Sequence, residues 1–170
     1  MGKWRREILG EVKEPLNEYL KGLVSIEKEK GNHIKFIIGT DSQKKGKGVQ
    51  FSTVILLEIK TFWENKNEII EVGKGGMVLY KNIFKNRSFS LNEKIIKEVQ
   101  MSVELAYEIL PLINKLGCSL ELHADINSNP IGKSYSVLNV AVNWLSGPGC
   151  KWKIKPEAYA ATHTADKYCR

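Results

Sequence analysis

The sequence predicts a mixed α/β domain in which a five-stranded sheet is flanked by helices. Three largely apolar, β-rich segments follow one another before the first long helix, and two further strands then alternate with helices. Strands joined by short turns pair antiparallel, whereas strands joined through a helix pair parallel. The expected sheet therefore combines three antiparallel strands with two parallel ones.

A helical extension is expected over residues 1–32, ahead of a domain spanning residues 33–170. Between Pro15 and Lys30 the apolar residues recur at helical spacing, and proline suits the first turn of a helix. Gly31 and Asn32 are expected to end this helix.

The first core strand is expected over residues 33–41, where apolar residues on both faces are typical of a central strand. A turn rich in lysine and glycine then leads to a second strand over residues 49–60, and a third is expected around residues 77–84. Ser90 and Glu93 have the spacing of a capping box, which predicts a helix from Leu91 to about Leu116. The remaining elements are expected to be a strand, a helix, a strand and a last helix over residues 118–126, 133–145, 151–155 and 156–170.

Composition narrows the classes of protein. Of the 170 residues 42% are hydrophobic, which is typical of a globular domain. No apolar run has the length of a membrane span, and no signal-peptide core follows the N-terminus, so we expect a cytoplasmic protein without a membrane partner. The three cysteines lack metal-site spacing, which argues against a zinc site or a disulfide framework. The net charge of +7 favours a polyanionic partner such as nucleic acid.

Asp41 and Asp125 each end a largely apolar predicted strand. Ligands of open α/β sheets gather at the carboxyl ends of strands. Two carboxylates brought together there repel each other and lose hydration, and a divalent cation between them removes that conflict. Taken singly, either residue is more typical of a strand-end turn or a helix cap, and only the pair, together with the further acids below, favours a metal site.

Two later helices supply further acidic candidates. Glu98 projects beside the apolar face of the first long helix, whereas Glu104 projects nearly opposite and should be solvated. A metal site or a buried salt bridge would each explain an inward Glu98. Asp166 ends a face of small residues in the last helix, with His163 one turn earlier, where it could orient a water or move a proton. Exposed residues near a chain end remain the alternative for this pair.

The element order and several short segments resemble the ribonuclease-H-like YkuK family, within the ribonuclease H superfamily fold. The carrying segments are IGTDSQ, HADIN, GKS, KPEA and ATHTADK, at residues 38–43, 123–127, 132–134, 155–158 and 161–167. The resemblance implies a ribonuclease H-like fold for residues 33–170. It also implies an acidic site at Asp41, Glu98, Asp125 and Asp166, in which the assignment of Glu98 depends mainly on helical geometry.

Convergence of these acids would predict a nuclease. Two Mg²⁺ or Mn²⁺ ions would bind a scissile phosphate, activate water and stabilise the leaving 3′ oxygen. Lys133, Lys155 and Lys167 would then hold the backbone of RNA, a hybrid or structured DNA without reading sequence. Taken singly, each of these lysines is more typical of a solvated surface charge.

Two alternatives remain at this point. Residues 127–134 end in Gly-Lys-Ser between a strand and a helix, which favours a nucleotide-binding ATPase, but Asn127 stands where the phosphate loop needs glycine. The second alternative is a non-catalytic module that binds nucleic acid or protein, since the fold hosts inactive scaffolds as well as enzymes.

Overall fold

A mixed sheet forms the centre of the computed structural model, which describes residues 2–65, 68–129 and 135–170. Its strands are β1 (Arg5–Arg6), β2 (Gly10–Glu11), β3 (His33–Lys45), β4 (Gly48–Asn65), β5 (Glu68–Lys85), β6 (Ser119–Asn127) and β7 (Lys151–Lys155). The helices are α1 (Leu16–Glu29), α2 (Leu91–Lys115), α3 (Leu138–Ser146) and α4 (Asp166–Cys169). A 3₁₀ turn, Tyr135–Val137, precedes α3, and a π-helical segment, Ala160–Ala165, precedes α4.

The strand order is β2-β1-β5-β4-β3-β6-β7. Strands β3, β4 and β5 pair antiparallel, whereas β6 pairs parallel with both β3 and β7. The predicted mixed arrangement of three antiparallel and two parallel strands is therefore confirmed for the centre of the sheet.

The predicted count of five strands is wrong, because the described residues form seven. The two additional strands, β1 and β2, lie in the segment predicted as a helical extension, and β1 pairs with the outer edge of β5. Each is two residues long, too short to show the alternation that reveals a strand in sequence. The turn between them holds Ile8 at φ 74°, in the left-handed region of backbone conformation. A β-branched residue rarely adopts this conformation, so the sequence does not predict a turn at this position.

Helix α1 is part of the main hydrophobic core. Leu20 and Val24 are fully buried and belong to the same cluster as Phe36 and Ile38 of β3. The boundary at residue 32 stays a prediction, but the core extends across it.

Strand β3 does not end at Asp41, contrary to the prediction. Antiparallel pairing with β4 continues through Asp41↔Ser52 to Lys45↔Gly48. The tight turn that follows uses Gly46 at φ 58°, which glycine adopts without strain. The residues after Asp41 are polar, so the pattern of apolar residues does not predict that the strand continues. Backbone hydrogen bonds to β4 extend it instead. Asp41 therefore lies inside β3.

The β4–β5 hairpin extends past the rest of the sheet as a two-stranded arm. Pairing with β3 ends at His33↔Lys60, while β4 and β5 remain paired through residues 61–65 and 68–73. Phe62 and Trp63 are exposed on this arm, and Lys74 lies over the Trp63 ring. The arm leaves the sheet at the end opposite Asp41.

The small-residue face of the C-terminal segment packs directly on the sheet, as the sequence predicts. Ala160, Ala161 and Ala165 are fully buried. The predicted continuous helix is instead the π-helical segment followed by α4, and its Ala160 N–H donates to Nδ1 of buried His123 on β6. Gly39 allows this approach, because a Cβ there would lie 2.6 Å from the Ala161 nitrogen.

Gly39→Ala is expected to lower the free energy of unfolding by about 1–3 kcal/mol, because a backbone segment must move to admit the methyl group. Urea denaturation would measure the change. Gly22→Ala is the matched control, since nothing lies within 4 Å of the added Cβ in α1, and alanine favours helix. A Gly39→Ala protein as stable as the Gly22→Ala protein would contradict the close packing.

Candidate metal centre

Asp41 and Asp125 lie where two parallel strands separate. The last pair between β3 and β6 is Gly39↔His123, and each aspartate follows two residues later on its own strand. Residues paired in parallel register share a face, and so do residues two apart along a strand. The two carboxylates therefore start from the same face of the sheet. Asp125 also begins an irregularity in β6, where pairing with β7 shifts between Ala124 and Asn127.

Glu98 enters the site from α2, as its helical phase predicts. The residue is only 7% exposed, and it accepts a hydrogen bond of 2.5 Å from Ser42 Oγ. One turn further along, Ser102 and Thr40 form a second hydroxyl contact of 2.8 Å between α2 and β3. Glu104 is exposed, again as predicted. These two contacts fix the helix over the strand that carries Asp41.

The three acids line one open pocket of about 320 Å³. It lies between β3, α2, β6 and β7, and its other lining residues are Leu91, Lys94, Ile95, Asn127 and Lys155.

Burial and mutual repulsion make two of these acids hard to ionise. Burial, followed by the charges of Asp125 and Asp166, raises the pKa of Asp41 to about 6. Burial also raises the pKa of Glu98 to about 8, with a contribution from the charge of Asp41. Lys94 lowers both pKa values, because its positive charge favours the ionised carboxylates. Asp41 and Glu98 therefore hold their protons to higher pH than exposed carboxylic acids do.

Asp166 stands beside this pocket and does not line it. Gln43 Nε2 and Arg170 Nη2 each donate to its carboxylate at 2.6 Å, and the hydrogen bond from Arg170 is the main cause that lowers its pKa. Its charge nevertheless reaches Asp41. His163 is exposed and is linked to the group through its electrostatic effect on Asp166.

Two of the predicted nucleic-acid lysines form ion pairs. Lys155 Nζ lies 2.5 Å from Asp125 Oδ1, and Lys167 pairs with Glu7 of the β1–β2 turn. Lys133 lies outside the described residues, as does most of the segment predicted as a phosphate loop. Backbone binding by all three lysines stays a prediction.

Sequence reasoning missed Ser42 and Lys94. Both had a usable signal: Ser42 directly follows Asp41, and Lys94 lies one helical turn before Glu98 on α2.

Whether the pocket suits a metal ion depends on the donor atoms of the residues that line it. Across the part of the chain that is described, no three His, Cys, Asp or Glu residues are arranged to hold a metal ion as they stand. However, Asp125 Oδ1 is buried without a hydrogen bond of acceptable geometry, although Lys155 is close. The carboxylates of Asp41, Glu98 and Asp125, which line one pocket, are oxygen donors of the kind that Mg²⁺ or Mn²⁺ prefers. The residues therefore fit a hard divalent ion in their chemistry.

Comparison with known proteins decides the family. A family model described as ribonuclease H-like matches residues 20–170. The chain belongs to this family. The ribonuclease H-like match bears out the resemblance to YkuK proteins and begins inside α1, ahead of residue 33. No curated protein and no solved structure matches the chain. In the described part of this ribonuclease H-like protein, no helix is both long and apolar enough to cross a membrane.

Proposed function

We propose that this ribonuclease H-like protein is a metal-dependent nuclease that hydrolyses phosphodiester bonds in nucleic acid. The observation that carries the proposal is the meeting of Asp41, Glu98 and Asp125, from three different elements, in one pocket. A fold without a ligand there has no need to gather three acids in one pocket, two of which, Asp41 and Glu98, have pKa values raised mainly by burial.

Asp41, Glu98 and Asp125 are the residues that would hold Mg²⁺ or Mn²⁺. When bound, such an ion supplies an activated water and stabilises charge on the leaving oxygen. Asp166, hydrogen-bonded to Gln43 and Arg170, would contribute its charge beside the pocket. His163 would face solvent next to this group. The family resemblance implies two ions.

Nucleic acid is the substrate class that the charge favours. The chain carries a net charge of +7, and the pocket itself contains two lysines beside its acids. Lysines bind phosphates as point charges and do not read bases, so RNA, an RNA–DNA hybrid and structured DNA all remain candidates.

A non-catalytic ribonuclease H-like binding module is the second candidate. The ion pair between Lys155 and Asp125 favours it, because a lysine can neutralise a buried acid without any metal. The ATPase alternative depends on residues 130–134, which are not described.

Cleavage assays separate the two candidates. Wild type is expected to cut at least one of three labelled substrates, namely RNA, hybrid or branched DNA, with Mn²⁺ or Mg²⁺ and not with EDTA. Asp125→Asn should lose this activity, whereas Glu108→Gln, on the exposed side of α2, should keep it. Binding of the same substrates without cleavage under any divalent ion would favour the non-catalytic module.

A further inference from the structure

Lys155, the last residue of β7, contacts an acid of the candidate metal centre. Pairing between β6 and β7 shifts after Ala124↔Ile154, and the described register gives Asp125 no partner on β7. The Lys155 ammonium lies 2.5 Å from Asp125 Oδ1, an oxygen that is buried. The Lys155 side chain lines the acidic pocket and is 41% exposed. The ammonium therefore occupies one side of a candidate metal ligand, while the rest of the side chain can move into solvent.

A divalent ion and this ammonium compete for the same oxygen. Mg²⁺ binds carboxylate oxygens at about 2.1 Å, so an ion on Asp125 Oδ1 would lie within about 4.6 Å of an ammonium that stayed in place. Positive charges at that separation repel each other strongly in a site that is partly shielded from water. Lys155 is the partner that can leave, because its ammonium is carried on a flexible four-carbon stem that is already partly exposed.

We propose that Lys155 is an internal counter-ion that a divalent ion displaces from Asp125. The inference rests on the proposed metal-dependent nuclease and adds a positioning residue to its site. In the free protein the ammonium neutralises Asp125 and holds its carboxylate toward β7. Once displaced, the ammonium stays within reach of the pocket and donates to a phosphate oxygen of the substrate. Lys155 thereby weakens binding of the ion alone and couples ion binding to nucleic-acid binding.

Lys94 provides the comparison that separates displacement from a general effect of charge. It enters the same pocket from α2, one turn before Glu98, and its charge acts on Asp41 and Glu98. Lys94→Gln removes one positive charge from the pocket and leaves the contact between Lys155 and Asp125 in place. Lys155→Gln removes one positive charge and that contact together.

The affinity for Mn²⁺ alone, measured on the full chain by isothermal titration calorimetry, tests the proposal without reference to turnover. Lys155→Gln is expected to bind its tightest Mn²⁺ at least about tenfold more strongly than wild type, and Lys94→Gln at most about threefold more strongly. Lys155→Arg keeps a cation that can pair with Asp125, so it should bind Mn²⁺ no more tightly than wild type. Far-ultraviolet circular dichroism and thermal melting confirm that each variant is folded.

Two results would overturn the inference and leave the nuclease proposal standing. An unchanged or weaker affinity in Lys155→Gln would mean that the ion binds while Lys155 stays in place. Equal gains in Lys155→Gln and Lys94→Gln would mean that only the total charge of the pocket matters. If neither wild type nor Lys155→Gln binds Mn²⁺, the proposal of a metal-dependent nuclease fails together with the inference.

Discussion

Asp41→Asn is expected to abolish metal-dependent cleavage and, in the absence of metal, to stabilise the protein. Loss of a carboxylate that binds the ion removes several kcal/mol of transition-state stabilisation, which corresponds to a fall in rate of about 10³-fold or more. The same change removes a half-buried charge that loses hydration and that Asp125 and Asp166 repel, and burial followed by these two charges raises the pKa of Asp41. The melting temperature at pH 8 in EDTA should therefore rise.

Two measurements on one variant make this prediction specific. Single-turnover cleavage with Mn²⁺ gives the rate, and thermal melting in EDTA gives the stability. Glu108→Gln, which removes an exposed acid of α2, should change neither. An Asp41→Asn protein that melts below wild type in EDTA would mean that the Asp41 carboxylate makes a favourable contact that outweighs the cost of its burial and its repulsion by Asp125 and Asp166.

The metal-free protein is expected to lose stability as pH rises from about 4.5 to about 8. Burial raises the pKa of Glu98 from 4.5 to about 8, so the folded state binds more protons than the unfolded state in this interval. The contribution of Glu98 is complete below pH 4.5 and is lost as pH increases through the folded value. A shift of this size corresponds to a free energy on the order of 5 kcal/mol. The raised pKa of Asp41 acts in the same direction.

Urea denaturation in EDTA at a series of pH values would measure this slope, with Glu98→Gln as the comparison. Glutamine keeps the shape of the side chain without the ionisation, so the variant should show a shallower fall. The difference between the two proteins also removes the contribution of buried His123, whose pKa is lowered and whose effect has the opposite sign. Parallel pH profiles for wild type and Glu98→Gln would contradict a buried, ionisable Glu98.

Local patterns predicted the elements of this fold well where they are long or capped. Ser90 and Glu93 form the capping box that the sequence indicates, β7 spans the predicted residues, and the phase of α2 turns Glu98 inward. These features depend on neighbours within a few residues. The two-residue strands β1 and β2 and the continuation of β3 past Asp41 depend on pairing with distant segments, which the local pattern does not encode.

In the candidate site, too, some features follow from local sequence patterns and others depend on tertiary packing. The positions of Asp41, Glu98 and Asp125 follow from strand and helix patterns together with the family resemblance. The pairing of Lys155 with Asp125 follows from a shift of register between β6 and β7, and the hydrogen bond of Ser42 to Glu98 from the packing of α2 on β3. The ion pair and the hydrogen bond both depend on tertiary packing, which local sequence patterns do not encode. Both affect the charges of the acids in the pocket.

The most direct test of a metal centre at Asp41 and Asp125 is a crystal structure of the wild-type protein soaked in Mn²⁺, with an anomalous difference map. We expect a peak in the pocket between β3, α2 and β6, with oxygens of both aspartates at coordination distance, about 2.0–2.2 Å. A map without a peak there, in which the two carboxylates point apart and Lys155 still contacts Asp125, would contradict the proposed site and leave the ribonuclease H-like fold unchanged.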